Sequence, residues 1–275
     1  MVGSVNLDLV ARVQRLPAPG ETLAAGDLRR LPGGKGANQA LAARRLGADV
    51  ALVAAVGQDP AADEALAMLN LDGVDLRAVR PALGLPTGHA LITVDDHGET
   101  TIVVAAGANA APRVEPADVA GADAVLTVLE VPDEAVAAAA RHTTGMFVLN
   151  AAPARPVAAD VLHRADLIVV NRAEYAELDG LDVAGAVAIT LGAEGAVLRR
   201  GGAEVARAAP PPTTPVDGTA AGDCFTAALT VALLRGLPDA EALRYACAAG
   251  ALTVSRPGAQ PSLPTEAELA AFMGR

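Results

Sequence analysis

The sequence predicts an α/β fold, a three-layer sandwich in which a mostly parallel central sheet lies between two layers of helices, with a small β lid beside it. Three observations predict this fold. Short runs rich in valine, leucine and isoleucine recur along the chain, and they alternate with stretches rich in alanine and leucine. Such alternation is typical of parallel sheets that are buried on both faces. Finally, two extended segments interrupt the alternation, which predicts the separate small sheet.

The apolar runs give the expected strands of the central sheet, at residues 50–56, 124–129, 146–150, 165–170 and 186–191. The intervening stretches give the expected helices, at residues 36–46, 61–71, 133–141, 223–235 and 240–255. Right-handed connections should join these elements, and they place ligands at the carboxyl ends of the strands. Three consecutive prolines at 210–212 predict a stiff connector before the last helical third of the chain.

The lid is expected from two segments, at about residues 9–31 and 87–105. Pro17 and Pro19 prevent a long helix in the first segment. The second reads as a hairpin closed by the polar turn Asp-Asp-His-Gly. No internal repeat divides the chain, so we expect residues 1–275 to form one domain that includes both lid segments.

The composition excludes several classes of function. Twenty-one basic and 32 acidic residues give a net charge of −11, which argues against contacts with a phosphate backbone. Three phenylalanines, two tyrosines and no tryptophan make a poor stacking platform for single-stranded nucleic acid. No apolar run approaches the roughly 18 residues of a membrane span, and the first residues lack the pattern of a signal peptide. Cys224 and Cys247 have no metal or redox spacing. We therefore expect a cytoplasmic protein with no nucleic-acid or membrane partner.

The most informative segment is the run Asp-Gly-Thr-Ala-Ala-Gly-Asp that ends at Asp223. Its small residues let an anion approach the main chain. The N–H groups of Ala220, Ala221 and Gly222 should converge at a helix amino end, which favours anions. Asp223 itself has two interpretations, an ordinary helix N-cap or a functional carboxylate beside the anion. The aspartate six residues upstream and the two glycines favour the functional loop.

A second glycine-rich run, Gly-Gly-Lys-Gly-Ala-Asn-Gln, begins at Gly33. It is not a Walker A loop, because Gly36 follows Lys35 where a serine or threonine must hold magnesium. The run is either a turn that opens a helix with a solvated lysine, or a site in which Lys35, Asn38 and Gln39 donate to several hydroxyls. The density of polar donors favours the second interpretation.

Polar residues also follow two apolar strands. Asn6 and Asp8 share one side of an extended chain, where an amide and a carboxylate suit a vicinal diol. The alternative is an Asx-type turn, which is favoured more for Asn6 than for Asp8. Asn171 and Glu174 follow the strand at 165–170 and form either a helix cap or a water-mediated magnesium site, since Mg²⁺ prefers carboxylate oxygens and retained waters.

Together these segments resemble the ribokinase family of sugar kinases, also called the PfkB carbohydrate kinases, from Gly3 to about Thr265. The two family signatures are the run at 33–39 and the loop at 217–223, in this order and separation. Shorter matches support them, at residues 19–22, 56–59, 107–109, 190–192 and 258–262. The resemblance implies transfer of the γ-phosphate of ATP to the primary 5-hydroxyl of D-ribose, with Mg²⁺ and a monovalent cation, usually K⁺. It also implies a homodimer formed through the lid.

The resemblance implies roles for the matching residues. The sugar hydroxyls would be held by Asn6, Asp8, Gly34, Lys35, Asn38 and Glu130. Asp223 would accept the proton of the attacking hydroxyl. The transferring phosphoryl group would be stabilised by backbone amides of Ala220, Ala221 and Gly222. The nucleotide site would be lined by Asn171, Thr190, Gly192, Gly195, Gly222 and Cys247. Glu174 would order magnesium and its waters. The monovalent cation would be bound by Asp217, Thr219, Thr253, Arg256, Gly258 and Ser262, mostly through backbone carbonyls.

The sequence also departs from the family pattern. Either the start codon is misassigned, or the strand that leads into Gly3 is short. Residues 178–188 barely allow a crossover, which typically needs a dozen or more residues. We therefore expect part of the sheet face to be uncovered there. Gly218 replaces a threonine, and alanine replaces the first proline of the run at 150–153. The acceptor stays open between ribose, another furanose, a nucleoside and a keto-sugar acid, and the chain could also be a catalytically weak sugar-binding regulator.

Overall fold

The structure is a computed structural model that describes residues 1–274. Its β-strands are β1 (Asn6–Arg12), β2 (Asp27–Gly33), β3 (Ala54–Val56), β4 (Val79–Pro81), β5 (Gly88–Val94), β6 (Thr100–Ala105), β7 (Ala124–Val128), β8 (Met146–Asn150), β9 (Leu167–Asn171), β10 (Val187–Thr190), β11 (Ala196–Arg200) and β12 (Ala203–Ala208). Its α-helices are α1 (Lys35–Arg45), α2 (Pro60–Leu71), α3 (Pro116–Val119), α4 (Asp133–His142), α5 (Ala159–Arg164), α6 (Arg172–Glu177), α7 (Ala221–Leu234), α8 (Asp239–Val254) and α9 (Glu266–Met273). Within the described part of the chain, no helix has both the length and the apolar character needed to cross a membrane.

The central sheet has the strand order β12-β11-β10-β9-β8-β7. β7, β8, β9 and β10 are parallel, whereas β11 and β12 form an antiparallel hairpin at one edge. Because parallel strands share a direction, the carboxyl ends of β7 to β10 lie at the same edge of the sheet. The expected α/β fold with a mostly parallel central sheet is confirmed.

Helices cover both faces of this sheet. Adjacent strand residues point to opposite faces, so Val148 and Val169 pack on the side of α1, α7 and α8. Phe147 and Ile168 pack on the other side, against α4 and α5. Burial on both faces explains why these strands are continuous apolar runs and do not alternate with polar residues.

The amino-terminal segment joins the central sheet through one residue. Val2 forms parallel bridges to both Val53 and Thr127, and its N–H donates to the carbonyl of Leu126 at 2.9 Å. The chain then leaves the sheet and enters β1 at Asn6. The short strand expected before Gly3 is therefore a single bridge, which links the β3–β4 pair to β7.

A second sheet, which we call the β lid, has the strand order β2-β1-β5-β6. Its first two strands are the ends of the extended segment at 9–31, and the other two form the expected hairpin. In β1, Asp8 is paired with Leu31 on one side and with Ala90 on the other. This register places Asn6 and Asp8 on one face of the β lid, as their period-two spacing predicts.

The connection between β9 and β10 corrects one expectation. It consists of α6 and a short 3₁₀ turn at Leu181–Val183, and β9 pairs regularly with β10. The sheet face is not left uncovered there, because Ile168 and Val170 are fully buried. Leu181 and the partly buried Leu178 pack against this part of the core and supply the cover. The expectation of an exposed face was therefore wrong.

Candidate active site

The amino end of α7 is the first feature of the site. Ala220, which precedes the helix, has φ 60° and ψ 6°, a left-handed conformation that is uncommon for a residue with a Cβ atom. No side chain of residues 1–274 caps this end, and the N–H of Ala221 donates to the carbonyl of Gly218 at 3.3 Å. The N–H groups of Gly222 and Asp223 lie in the first turn, where the helix itself offers no acceptor. Such an end can bind an anion, although the amide of Ala221 is already engaged.

Asp223 is the third residue of α7 and not its cap. Its carboxylate is buried and accepts two hydrogen bonds from side chains of α1. Asn38 donates through Nδ2 to Oδ2 at 2.9 Å, and Gln39 donates through Nε2 to Oδ1 at 2.8 Å. The interpretation of Asp223 as an ordinary N-cap is therefore wrong, and the helix begins two residues earlier than expected. The carboxylate instead joins the first turns of α1 and α7.

The amino end of α1 is built on glycines and a carboxylate. Gly34 is its N-cap, with φ 89°, and a Cβ there would lie 2.8 Å from the backbone nitrogen of Asn6. Only glycine fits this close approach without strain. The N–H of Lys35 donates to Oε2 of Glu130 at 3.0 Å, and the N–H of Gly36 donates to Oγ of Ser4 at 3.2 Å. Glu130 thus caps α1 from the end of β7, beside the glycine-rich run.

Four carboxylates surround this region. Burial is the main reason why the pKa of Asp8 is raised to about 7, and the charges of Glu130 and Asp223 raise it further. Oδ1 of Asp8 has no hydrogen-bond partner among residues 1–274. Burial lowers the pKa of Lys35, but the negative charges of Asp223, Glu130 and Glu174 outweigh it, so the pKa of Lys35 is raised. The lysine therefore stays cationic within an acidic cluster.

The side chain of Asn6 is held by Asn109, which belongs to the shorter family match at residues 107–109. Asn109 donates through Nδ2 to Oδ1 of Asn6 at 2.7 Å and to the carbonyl of Val5 at 3.1 Å. Its Oδ1 accepts from the N–H of Val5 at 2.8 Å. Because Oδ1 of Asn6 is engaged, the amide nitrogen is the group that Asn6 can offer to a ligand. No Asx-type turn is needed to explain its position.

The smaller of two adjoining cavities, of about 190 Å³, joins several expected site residues. Its lining includes Lys35, Asn171, Glu174, Gly222 and Asp223. Asn171 and Glu174 also form a capping box for α6, in which Oδ1 of Asn171 accepts from the N–H of Glu174 at 2.8 Å and Oε2 of Glu174 accepts from the N–H of Asn171 at 2.7 Å. The capping interpretation of this pair is confirmed, and the magnesium role stays a prediction. Over residues 1–274, no three histidine, cysteine, aspartate or glutamate side chains cluster closely enough to hold a metal ion by themselves.

The larger cavity, of about 470 Å³, adjoins the smaller one at Thr190 and Gly222, which line both. Five of the six residues expected at a nucleotide site line it: Thr190, Gly192, Gly195, Gly222 and Cys247. Residues 210–212, expected only as a stiff connector, form part of its wall. The Sγ of Cys247 donates to the carbonyl of Ala208 at 3.6 Å, and burial raises the pKa of this thiol to about 11. The cavity is thus lined mostly by apolar groups and main chain.

The loop before α7 is closed on itself by Asp217. Oδ1 of Asp217 accepts from Oγ1 of Thr219 at 2.6 Å and from its N–H at 2.9 Å, and Oδ2 accepts from the N–H of Gly258 at 2.8 Å. Burial raises the pKa of Asp217, but these hydrogen bonds outweigh it and lower the pKa overall. The structure therefore brings together three of the six residues expected at a monovalent cation site.

The other three residues expected at that site direct their side chains elsewhere. Thr253 donates through Oγ1 to the carbonyl of Ala249 at 2.9 Å within α8, and Ser262 donates through Oγ to the carbonyl of Ala259 at 2.7 Å. Arg256 forms an ion pair with Glu268 of α9 at 2.8 Å. Only their backbone carbonyls could serve a cation in the loop of Asp217, so their role stays a prediction.

Sequence reasoning missed part of the site. Asn150, at the end of β8, lines the smaller cavity and accepts from Nε2 of Gln39 at 2.8 Å. Gln39 was expected to bind hydroxyls, yet it is fully buried and donates to Asn150 and Asp223. Ser4 donates to Glu130 and was assigned no role. The position of Asn150 at a strand carboxyl end was the available signal.

Comparison with known proteins finds similarity along almost the whole chain. A family model described as pfkB family carbohydrate kinase matches residues 1–266. Ribokinase from Haemophilus influenzae is 35% identical over 299 residues, which cover 99% of this chain and 97% of that protein. Ribokinase from Bacillus subtilis is 36% identical over 287 residues, which cover 98% of this chain and 97% of that protein.

A solved structure extends the likeness to the fold. The structure of Arabidopsis thaliana ribokinase complexed with ribose and ATP superimposes with a TM-score of 0.91 at 30% sequence identity. The superposition covers 100% of this chain and 97% of that one. The similarity therefore extends over the central sheet and the β lid, and is not confined to one motif.

Proposed function

Because this chain belongs to the pfkB family of carbohydrate kinases, and is therefore an ATP-dependent sugar kinase, we propose that it phosphorylates D-ribose at the primary 5-hydroxyl. The observation that carries the proposal is the junction of the two cavities at Gly222, next to Asp223. A nucleotide in the larger cavity would direct its phosphates into the smaller one. The γ-phosphate would then approach the Asp223 carboxylate and the amino end of α7.

Asp223 would serve as the general base. A base must lie within hydrogen-bond reach of the proton that it accepts, and a well-placed one contributes on the order of 10²–10⁴ in rate. The attacking hydroxyl becomes acidic only as its bond to phosphorus forms, so a carboxylate is a sufficient acceptor. Burial of Asp223 at the wall of the smaller cavity supports this role.

The amino end of α7 and Lys35 would stabilise the transferring phosphoryl group. Phosphoryl transfer requires positioning and charge stabilisation more than covalent catalysis. The free N–H groups of the first turn and the helix dipole favour an anion at this point. Lys35 lines the same cavity and stays cationic, since the surrounding carboxylates raise its pKa.

The sugar would bind between the β lid and the amino end of α1. Asn6, Asp8, Gly34, Lys35, Asn38 and Glu130 would hold its hydroxyls. Oδ1 of Asp8, which has no hydrogen-bond partner in the described part of the chain, supports this assignment, because a buried acceptor without a partner is costly and a sugar hydroxyl would satisfy it.

Two cations would complete the site. The half-buried carboxylate of Glu174 faces the smaller cavity and suits Mg²⁺, which would offset the charge of the nucleotide phosphates when bound. Asp217, Thr219 and Gly258 offer carboxylate, hydroxyl and carbonyl oxygens, the kind of ligand that suits K⁺ beside α7. In this loop the Asp217 carboxylate already accepts three hydrogen bonds, so carbonyls would provide most of the ligands.

The β lid would close over the sugar and would also form a homodimer. Val104 of β6 pairs with Ala90 of β5, which pairs with Asp8 of β1, so Val104 lies on the face of the β lid that carries Asn6 and Asp8. Ile102 lies on the same face, and both side chains are more than half exposed. An apolar surface beside a polar site is stabilised when a second copy covers it. Closure would exclude water, which could otherwise compete as the phosphoryl acceptor.

A panel of acceptors, assayed with ATP, Mg²⁺ and K⁺, tests the proposal. ADP release should be fastest with D-ribose, and 5-deoxyribose, which lacks only the reacting hydroxyl, should give none. A higher kcat/KM with another furanose, a nucleoside or a keto-sugar acid would contradict ribose as the substrate. A nucleoside is the less favoured of these acceptors, because the five aromatic residues of the chain offer little for stacking its base. Ribose binding by calorimetry without ADP release from any acceptor would indicate a sugar-binding regulator.

A further inference from the structure

Gln39 lies behind the base and lines neither the smaller nor the larger cavity of the site. Its side chain is fully buried in the first half of α1, whereas the neighbouring Asn38 is expected to contact the sugar. Nε2 of Gln39 lies 2.8 Å from Oδ1 of Asp223 and 2.8 Å from Oδ1 of Asn150. The residue therefore links three elements, α1, α7 and β8, at a single amide group.

Only one orientation of this amide is compatible with its neighbours. Asn150 donates through Nδ2 to the carbonyl of Val169 at 3.1 Å, so its Oδ1 is the atom that faces Gln39. Asp223 offers a carboxylate oxygen, which also accepts. Because a side-chain amide has two N–H donors on nitrogen and none on oxygen, the nitrogen of Gln39 must lie between the two acceptors. Both N–H groups of Gln39 are then engaged.

This arrangement fixes the plane of the Asp223 carboxylate. The terminal torsion of an aspartate is broad, so an isolated carboxylate samples many orientations. Here Gln39 holds Oδ1 and Asn38 holds Oδ2. Each oxygen keeps further lone pairs for a ligand in the smaller cavity. Asn38 keeps a second N–H for the sugar, whereas both N–H groups of Gln39 are engaged by Asp223 and Asn150, so Gln39 holds the carboxylate without contacting the substrate.

We propose that Gln39 is a positioning residue that holds the Asp223 carboxylate in its proton-accepting orientation, with Asn150 fixing the amide of Gln39 in turn. This inference rests on the proposed function, because it requires Asp223 to be the base. Gln39 itself would touch neither sugar nor nucleotide. Its loss should therefore slow the chemical step and leave substrate affinity unchanged.

The variant Gln39→Met tests this role, since methionine keeps the length of the side chain but has no donor. We expect kcat with ribose to fall on the order of 10²-fold, as misplacement of a reacting group does, with KM for ribose and ATP unchanged. The ribose Kd from calorimetry should also be unchanged. Thr127→Val is the matched control, because it replaces a buried hydroxyl that has no partner among the described residues and lies outside the site. The control should keep the kcat of the natural protein.

A second variant, Asn150→Ala, removes the group that orients Gln39 and keeps the test decisive if Gln39→Met does not fold. It should lower kcat in the same way, by a smaller factor. The inference is overturned if the folded variants keep full kcat, or if kcat and the ribose affinity fall by the same factor. Asp223→Asn separates this inference from the proposed function. If Asp223→Asn keeps full turnover, Asp223 is not the base and the proposed function itself is contradicted. If Asp223→Asn loses turnover but Gln39→Met keeps it, only the positioning role of Gln39 is contradicted.

Discussion

Asp8 provides a test of the acidic cluster that requires no substrate. Burial, followed by the charges of Glu130 and Asp223, raises the pKa of Asp8 from 3.8 to about 7 in the folded protein. Between these two values the folded chain binds a proton that the unfolded chain has lost. The free energy of unfolding therefore falls as the pH rises through this range, because the unfolded state binds fewer protons. The stability contributed by protonated Asp8 is complete below pH 3.8 and is lost above pH 7.

The size of this effect follows from the pKa difference. Each pKa unit corresponds to about 1.4 kcal/mol, so a difference of roughly three units gives on the order of 4 kcal/mol. Asparagine has nearly the same shape as aspartic acid and carries no charge. Asp8→Asn should therefore remove the contribution of Asp8 to the pH dependence of the free energy of unfolding. From acidic to neutral pH, the variant should gain about 4 kcal/mol of stability relative to the natural protein.

Urea unfolding from about pH 4.5 to pH 8 measures this difference. Asp63→Asn is the matched control, because Asp63 is an exposed carboxylate on α2, outside the cluster. We expect the curves of the natural protein and of Asp63→Asn to run parallel. The curve of Asp8→Asn should lack their decline between about pH 4.5 and pH 7, which covers most of the interval between the two pKa values of Asp8. Parallel curves for all three proteins would refute the burial of a protonated Asp8 within the acidic cluster.

Two further predictions concern the sugar site and the β lid. Gly33→Ala should raise KM for ribose about 10- to 100-fold, because its Cβ would overlap Oδ2 of Asp8 and displace the carboxylate. Gly26→Ala should leave KM unchanged, because its Cβ would meet no atom of the described residues closer than 4.0 Å. Equal effects of the two variants in steady-state assays would contradict the contact between Gly33 and Asp8. Ile102→Glu should convert the proposed homodimer to monomers in sedimentation velocity, since it buries a charge in the apolar face of the β lid, and a variant that stays dimeric would exclude this face as the interface.

Much of the fold could be predicted because strands that are buried on both faces of a sheet consist of continuous apolar residues, which are easily recognised in the sequence. The four parallel strands β7 to β10 are apolar runs, and all four were expected within one or two residues of their bounds. The hairpin of β11 and β12 was not expected. Its strands mix alanine and valine with exposed charged residues, and such short alternation is a weak signal at a sheet edge.

The site was predictable in its composition but not in its contacts. Asp223 was expected at the start of α7, yet aspartate is common both at an N-cap and in the first turn, so the sequence left its exact position open. The direction of Gln39 depends on how α1 packs against α7, which no local pattern specifies. The cover of the sheet near residues 178–188 likewise depends on how deeply Leu181 packs, and sequence length alone predicted the opposite.

The turnover of Asp223→Asn tests the central claim most directly. Asparagine keeps the size of the side chain but removes the negative charge that would accept the proton of the sugar hydroxyl. With ATP, Mg²⁺ and ribose we expect kcat to fall on the order of 10²–10⁴-fold, while ATP still binds with the affinity of the natural protein in calorimetry. A variant that phosphorylates ribose at the natural rate would contradict the role of Asp223 as the base.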